Sequence, residues 1–388
     1  MKILQLHNRY QQLGGEDAVL LAEFTLLSSY DQQVNLLEVT NDRIQSVWGR
    51  VSAAVRCVYS KSSKEDVRVD ILRYKPDVVH VHNFFPLLTP SIYDACADAG
   101  VPVVQTLHNY RLICPGALLM RDGQVCENCI TGSPYQAVLH GCYRDSRFGS
   151  LIVARMVDFH RKHHTWSTKV DRFIALTKFA KQKFVSAGFP SNRITVKPNF
   201  VVSNERIIDV LEQDKSYALF VGRLSAEKGI ETLLRTWNSL SLPLHLVGDG
   251  PLLKKIQYRK PDSVTCHGHL SLEDVRAQMS HASFLVMPSE WYEGFPMVLV
   301  EAFSRGLPVI VSRLGGLAEI VENGITGLHF EAGNSDDLAE KVCWMQKNSD
   351  VRRKMGANAR QVYLERYTPE RNYKMLMQIY RETINNHV

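Results

Sequence analysis

The sequence predicts an α/β fold: two doubly wound, Rossmann-like parallel sheets facing each other across a central cleft. Three observations lead there. Short β-branched runs alternate with helical stretches through the first half, the alternation breaks over residues 200–216, and it then starts again. A length of 388 residues, at about 150 residues per domain, fits two or three domains.

In order, the first half reads KILQLH as a strand, a Gly14-Gly15 turn, a helix from Glu16 to Tyr30 and VNLLEV as a strand. A long polar helical region runs to Tyr74, followed by DVVHVHN, a helix from Pro90 to Ala99, and VPVVQTLHN. A cysteine-bearing insertion, Cys114 to Cys142, interrupts the pattern. A basic helix, the strand DRFIAL, a helix at KFAKQKFVSAG and RITVKPN complete the domain. The second half repeats the scheme with YALFVGRL, LPLHLVGDGP, SVTCHG, SFLVMPS, LPVIVS and TGLHF as strands between helices. The expected domains are 1–200 and 201–368. A final helix, 369–388, carries Tyr373, Leu376, Met377 and Tyr380 at helical spacing and is expected to pack back on the first domain.

Ligands of open parallel sheets bind at the carboxyl ends of the strands, so the post-strand turns carry the chemistry. GRLSAEKG places Arg223 and Lys228 in a glycine-containing loop, where a forked guanidinium and a point charge can flank a diphosphate. Two solvated loop cations would read the same way. VGDGP, with Gly248, suits close backbone approach to a ligand, although Gly-Asp-Gly is a common turn. In SEWYEGFPMVLVEA, Gly294, Phe295 and Pro296 open a helix after a strand, and its free amides can bind an anion. Glu293 at its mouth can accept hydrogen bonds from sugar hydroxyls, and Glu301 lies two turns in. Their plainer reading is a helix N-terminal acid and a surface residue.

GRLSAEKG, VGDGP, EGFPMVLVEA, GLPVIVSRLGGLAEIVENGITG and the early glycine pair, in this order and spacing, resemble the retaining family-4 glycosyltransferases of the GT-B fold over nearly the whole chain. The resemblance implies that Arg223 and Lys228 hold the diphosphate of a UDP-, GDP- or dTDP-sugar, Glu293 the transferred sugar and Glu301 the ribose. Gly14 and Gly15 would approach the diphosphate from the other domain, and His108 in QTLHNYR would approach the donor sugar. The family often has Asp after that histidine; Asn109 stands here. His80 and His82 either border an acceptor site or are satisfied in a packed strand end. Front-face substitution on the sugar, with no catalytic metal, follows from the same resemblance. It agrees with the absence of any Asp-x-Asp triplet and of a clear nucleophilic carboxylate in the sequence. A nucleotide-sugar epimerase or hydrolase, or a non-catalytic binding protein, are the competing functions. A dehydrogenase is disfavoured because no G-x-G-x-x-G follows the first strand.

Cys114, Cys126, Cys129 and Cys142 are spaced C-x11-C-x2-C-x12-C, as in a structural zinc site. An iron–sulfur cluster and four separate reduced thiols are the alternatives, and disulfides are disfavoured in a cytoplasmic chain.

The net charge of +6 is concentrated. Between Arg144 and Lys183 ten Lys/Arg face three Asp, a local +7, so a polybasic nucleic-acid coat is excluded. This segment reads either as a face for anionic lipid or a lipid-diphosphate-linked acceptor, or as a solvated helix surface. With no signal peptide or membrane-spanning run, the expected location is cytoplasmic, at most peripheral to the membrane. The acceptor implied by the resemblance is a glycan or lipid-linked unit of polysaccharide, capsule or lipopolysaccharide assembly.

Overall fold

The computed structural model describes residues 1–10, 14–41, 56–203 and 216–387. The expected domain boundary, residues 200–216, falls mostly outside the described residues, as does the early part of the polar region before Tyr74. Two compact units form, the first built from Met1–Arg121, Cys126–Asn199 and Asn372–Val388, the second from Asp122–Val125 and Phe200–Arg371.

The first unit holds strands β1 (Lys2–Arg9), β2 (Gln33–Thr40), β3 (Val78–Asn83) and β4 (Val103–Leu107). A small pair, β5 (Met120–Arg121) and β6 (Gln124–Val125), precedes β7 (Arg172–Ala175) and β8 (Ile194–Val196). The main sheet is parallel in the order β2-β1-β3-β4-β7-β8. Every residue of β3 and β4 is buried, which suits central strands covered on both faces. Polar residues nonetheless occupy the buried positions His7, Asn8, His80, His82 and Asn83 toward the carboxyl ends of β1 and β3. The β1–β3 register shifts there, between Leu6 and His7.

Helix boundaries follow local chemistry. Ser146 accepts from the Gly149 amide at the start of Arg147–Lys162, and Thr177 caps Lys178–Ser186 through Ala180. Helix Pro369–Asn385 buries Leu376, Met377 and Tyr380 against Ile3, Leu27, Val78, Val104 and Ile174.

The second unit holds β9 (Tyr217–Val221), β10 (Leu244–Val247), β11 (Val264–Gly268), β12 (Ala282–Met287), β13 (Val309–Ser312) and β14 (Gly327–Phe330), parallel in the order β11-β10-β9-β12-β13-β14. Side chains alternate along each strand. Leu219, Leu285, Val309 and Val311 pack with Leu299 and Phe303 on one face; Phe220, Phe284 and Ile310 pack with Leu233 and Trp237 on the other. The buried Trp237 indole donates to the Leu242 carbonyl at 2.8 Å.

Candidate active site

In the second sheet the strand order reverses between β9 and β12, the place where such sheets open a crevice. Three post-strand turns are packed there backbone to backbone. A Cβ on Gly229 would overlap the Pro288 carbonyl, one on Gly248 the Gly222 carbonyl, and one on Gly250 the backbone of Leu224. Gly248 also has φ +139°, a conformation L side chains avoid. Hydrogen bonds join the same turns, from Leu224 N to Asp249 O at 2.9 Å and from Glu290 N to Glu227 O at 2.9 Å. Gly248→Ala is therefore expected to displace the turn, lowering stability by about 1–3 kcal/mol, as checked by thermal melting.

Lys228 and Glu293 meet within this cluster, Nζ to Oε1 at 2.7 Å, with the Ser289 hydroxyl donating to the same carboxylate oxygen at 2.6 Å. The Lys228 ammonium also lies 5.5 Å from the Trp291 ring centre. Lys228 keeps 22% of its side chain exposed and Glu293 only 5%. A half-open cation thus neutralises a buried acid. Arg223 is exposed and takes part in no ion pair among the described residues. The helix expected from Phe295 begins later, at Met297 with Pro296 in the N-cap position. Gly294 and Phe295 belong to the preceding loop, where Phe295 packs on the core and meets Tyr367 edge-on. Glu301 lies in the helix Met297–Ser304, and burial raises its carboxyl above the ordinary range although Arg276 and Arg305 oppose this. It is neither at the loop nor a plain surface residue.

In the first unit the order reverses between β1 and β3. Gly14 precedes the helix Gly15–Ser29, and its amide donates to Asp17 Oδ2 at 2.7 Å. Gly15 is already helical, and a Cβ there would meet nothing within 4 Å. Among the described residues, a Cβ on Gly14 would meet only Asp17 Oδ2, at 3.8 Å.

His108, just past β4, borders a cavity lined also by His82, Asn83, Phe85, Gln105 and Arg111. The His82 and His108 rings stack 5.3 Å apart, with Nδ1 of His82 3.1 Å from Nε2 of His108. Burial holds His108 down at about 4, so its imidazole is neutral at neutral pH. Behind these rings stands a fully buried ion pair, Glu23 to Lys197 at 2.6 Å. Burial alone would raise the Glu23 carboxyl, but the Lys197 ammonium holds it below the ordinary range. Glu23, His80 and His82 have ligand atoms within 4.8 Å of one another. Tyr380 and Thr106 already take both His80 nitrogens, and Lys197 already neutralises Glu23. Glu23 Oε2 and His82 Nε2, 3.6 Å apart, stay without a hydrogen-bond partner beside that buried ion pair.

The sequence reading missed Glu16. Its carboxylate accepts from Asn83 at 3.1 Å and from Asn109 at 3.4 Å, and burial pushes it up to about 7. A carboxyl that titrates near neutrality can hold or release a proton. Glu23 and Lys197 were missed as well. The available signal was a charge on the apolar face of a helix, at helical spacing from Leu20 and Leu27.

The basic segment is not one free face. Arg161 donates to the carbonyls of Gly132 and Cys129, Lys181 to that of Ile194, and Arg172 to that of Asn192. Lys162, Lys169 and Lys183 pair with Asp158, Asp94 and Glu127. The exposed residues of the segment include Arg144, Asp145, Arg147, Phe148, Leu151 and Arg155 around the start of the helix Arg147–Lys162, and Lys162 and Lys178 elsewhere. No described helix is long and apolar enough to cross a membrane.

Comparison with known proteins agrees with this architecture. Residues 202–362 match the family model described as glycosyl transferases group 1, and residues 22–205 match that of glycosyltransferase family 4. An uncharacterised glycosyltransferase of Methanocaldococcus jannaschii is 30% identical over 287 residues, covering 73% of this chain and 76% of that protein. The alpha-D-kanosaminyltransferase of Streptomyces kanamyceticus is 28% identical over 309 residues, 77% and 74% of the two chains. Among solved structures, Anabaena HepE in complex with UDP-glucose superposes with a TM-score of 0.68 at 18% identity, covering 98% of this chain and all of that one. The chain accordingly belongs to glycosyltransferase family 4, with the two-domain GT-B fold of those transferases.

Proposed function

We propose that the protein transfers a hexose from a nucleotide-diphosphate donor to a glycan or lipid-diphosphate-linked acceptor, with retention of anomeric configuration. The observation that carries this reading is the Lys228–Glu293 pair, set among three stacked turns at the strand-order reversal of the second sheet. Breaking a sugar–phosphate bond leaves negative charge on the diphosphate. Cations held in a partly dry, preorganised site stabilise that charge at little reorganisation cost. Lys228, drawn onto the diphosphate with Arg223, releases the Glu293 carboxylate to accept from sugar hydroxyls while Ser289 keeps it in place.

Glu301 faces the ribose of the donor. In the first unit, the helix start at Gly14 and Gly15, neutral His108 and the near-neutral carboxyl of Glu16 form the polar surroundings of the reacting hydroxyl. The leaving phosphate accepts the acceptor's proton, so the substitution proceeds on the face from which the nucleotide departs. The patch of Phe148 and Leu151 among Arg144, Arg147 and Arg155 suits an anionic membrane surface bearing a lipid-linked acceptor, as expected for polysaccharide assembly.

Titration with UDP-, GDP- and dTDP-sugars, followed by turnover on lipid-linked oligosaccharide acceptors and NMR of the product, tests this reading. One nucleotide class is expected to bind, and the product keeps the donor's anomeric configuration in EDTA. An inverted product, or an absolute need for added Mg²⁺ or Mn²⁺, would overturn it.

A further inference from the structure

Outside the catalytic residues, the insertion between β4 and the helix Arg147–Lys162 has an unusual construction. Its described regular structure is the two-residue pair β5 and β6 and two short helices, Asn128–Thr131 and Gln136–His140. Between Cys114 and Cys142, Leu119 and Ile130 are the only large aliphatic side chains in the buried core, with Leu112 and Ile113 buried just before that stretch. So small an apolar interior cannot order a segment of this length by itself, and modules of this kind rely on a cross-link or a metal.

Four cysteines lie inside it. The turn Cys114–Ala117 closes on itself through the Ala117 amide and the Cys114 carbonyl at 2.9 Å, and Gly116 lies against Cys142, where an added Cβ would come within 3.5 Å of the Cys142 Cβ. Ala137 ties in a further one, its carbonyl accepting from Cys142 N at 3.1 Å. Cys126 reaches back through its amide to Leu119 O at 2.8 Å and stands three residues before Cys129. Cys129 lies within electrostatic reach of the other three sulfurs. All four are free thiols, Cys114 and Cys129 buried, Cys126 and Cys142 half-buried. From outside, the Arg161 guanidinium clamps the carbonyls of Cys129 and Gly132.

We propose that Cys114, Cys126, Cys129 and Cys142 bind one structural Zn²⁺ ion, which fastens the insertion to the first unit. Four thiolates about 2.3 Å from zinc stand roughly 3.8 Å from one another. No three of these sulfurs are gathered within 4.8 Å, so loading the ion draws the cysteines inward and releases thiol protons to solvent. The ion takes no part in the transfer chemistry, because all four tetrahedral positions are filled by protein.

The test uses the full chain without a histidine tag, purified without chelator from zinc-supplemented medium. Elemental analysis is expected to give one zinc per chain. Exchange with Co²⁺ is expected to produce thiolate-to-cobalt charge-transfer absorption and the visible bands of a tetrahedral site. Cys126→Ser and Cys129→Ser should lose the metal and become sensitive to limited proteolysis within residues 114–142, whereas Cys343→Ser should keep it. Cys126→His, which preserves a ligand, should retain binding and so separates ligation from misfolding. Native protein carrying less than a tenth of an equivalent of zinc, iron with acid-labile sulfide in its place, disulfides between these cysteines, or full zinc in Cys129→Ser would each overturn the proposal.

Discussion

Lys228→Ala lowers kcat by about 10²–10³-fold, the scale of removing one preorganised charge-stabilising donor, while the protein stays folded. The reason lies in the two partners of one carboxylate. Lys228 is the more open member of its ion pair, so a diphosphate can reach it, and Glu293 retains the Ser289 hydroxyl when the lysine swings away. Alanine removes the cation and leaves the buried Glu293 with a single donor, at a cost of about 1–3 kcal/mol in stability. Arg223 is exposed, so Arg223→Ala acts more on KM than on kcat. Steady-state kinetics of nucleotide release, with circular dichroism as the control for folding, measures both. Normal turnover in both variants would remove the diphosphate assignment.

Lys197→Met destabilises the first unit by about 3–5 kcal/mol, because it strands the fully buried Glu23 carboxylate without its counter-charge. At roughly 2–4 °C per kcal/mol for a unit of this size, the melting temperature falls by roughly 6–20 °C. The double variant Glu23→Gln with Lys197→Met recovers much of that loss, since no charge is then left in the interior. The same region sets the acid sensitivity. Burial keeps His80 and His82 well below their ordinary 6.5 and His108 at about 4. These groups stay neutral in the folded state and take up protons once unfolded. Their contribution is therefore fully present above about pH 6.5 and fades as pH falls toward 4, by at most about 1.4 kcal/mol per pH unit for each histidine. Melting curves between pH 4 and 8 check the sign; a melting temperature that rises on acidification would refute it.

The stacked turns of the second unit were legible in the sequence because their residues are local. Arg223 and Lys228 lie in one loop, Glu293 to Phe295 in another, and the glycines that let the turns stack lie beside them. The buried charges of the first unit were hidden. Glu23 and Lys197 are brought beside His82 and His108 only by the strand order, and neither carries a motif on its own. At residues 144–183 a count of cations could not reveal which carbonyls they bond. The alternation of β-branched and helical segments gave the number of layers, while the sequence could not fix that the first sheet runs β2-β1-β3 and the second β11-β10-β9.

The helix Pro369–Asn385 has a consequence for how the molecule is made. It supplies Tyr380 to His80, Asn372 to Lys197, and Leu376 to the core around Ile3 and Val104. At about 5–20 residues per second, the ribosome needs roughly 10–35 s to pass from Lys197 to that helix. For that interval the nascent first sheet must wait with one flank bare and its future interior charges still hydrated, while the second sheet has all its strands in one uninterrupted run. The second unit can thus finish before the first, although it is synthesised later.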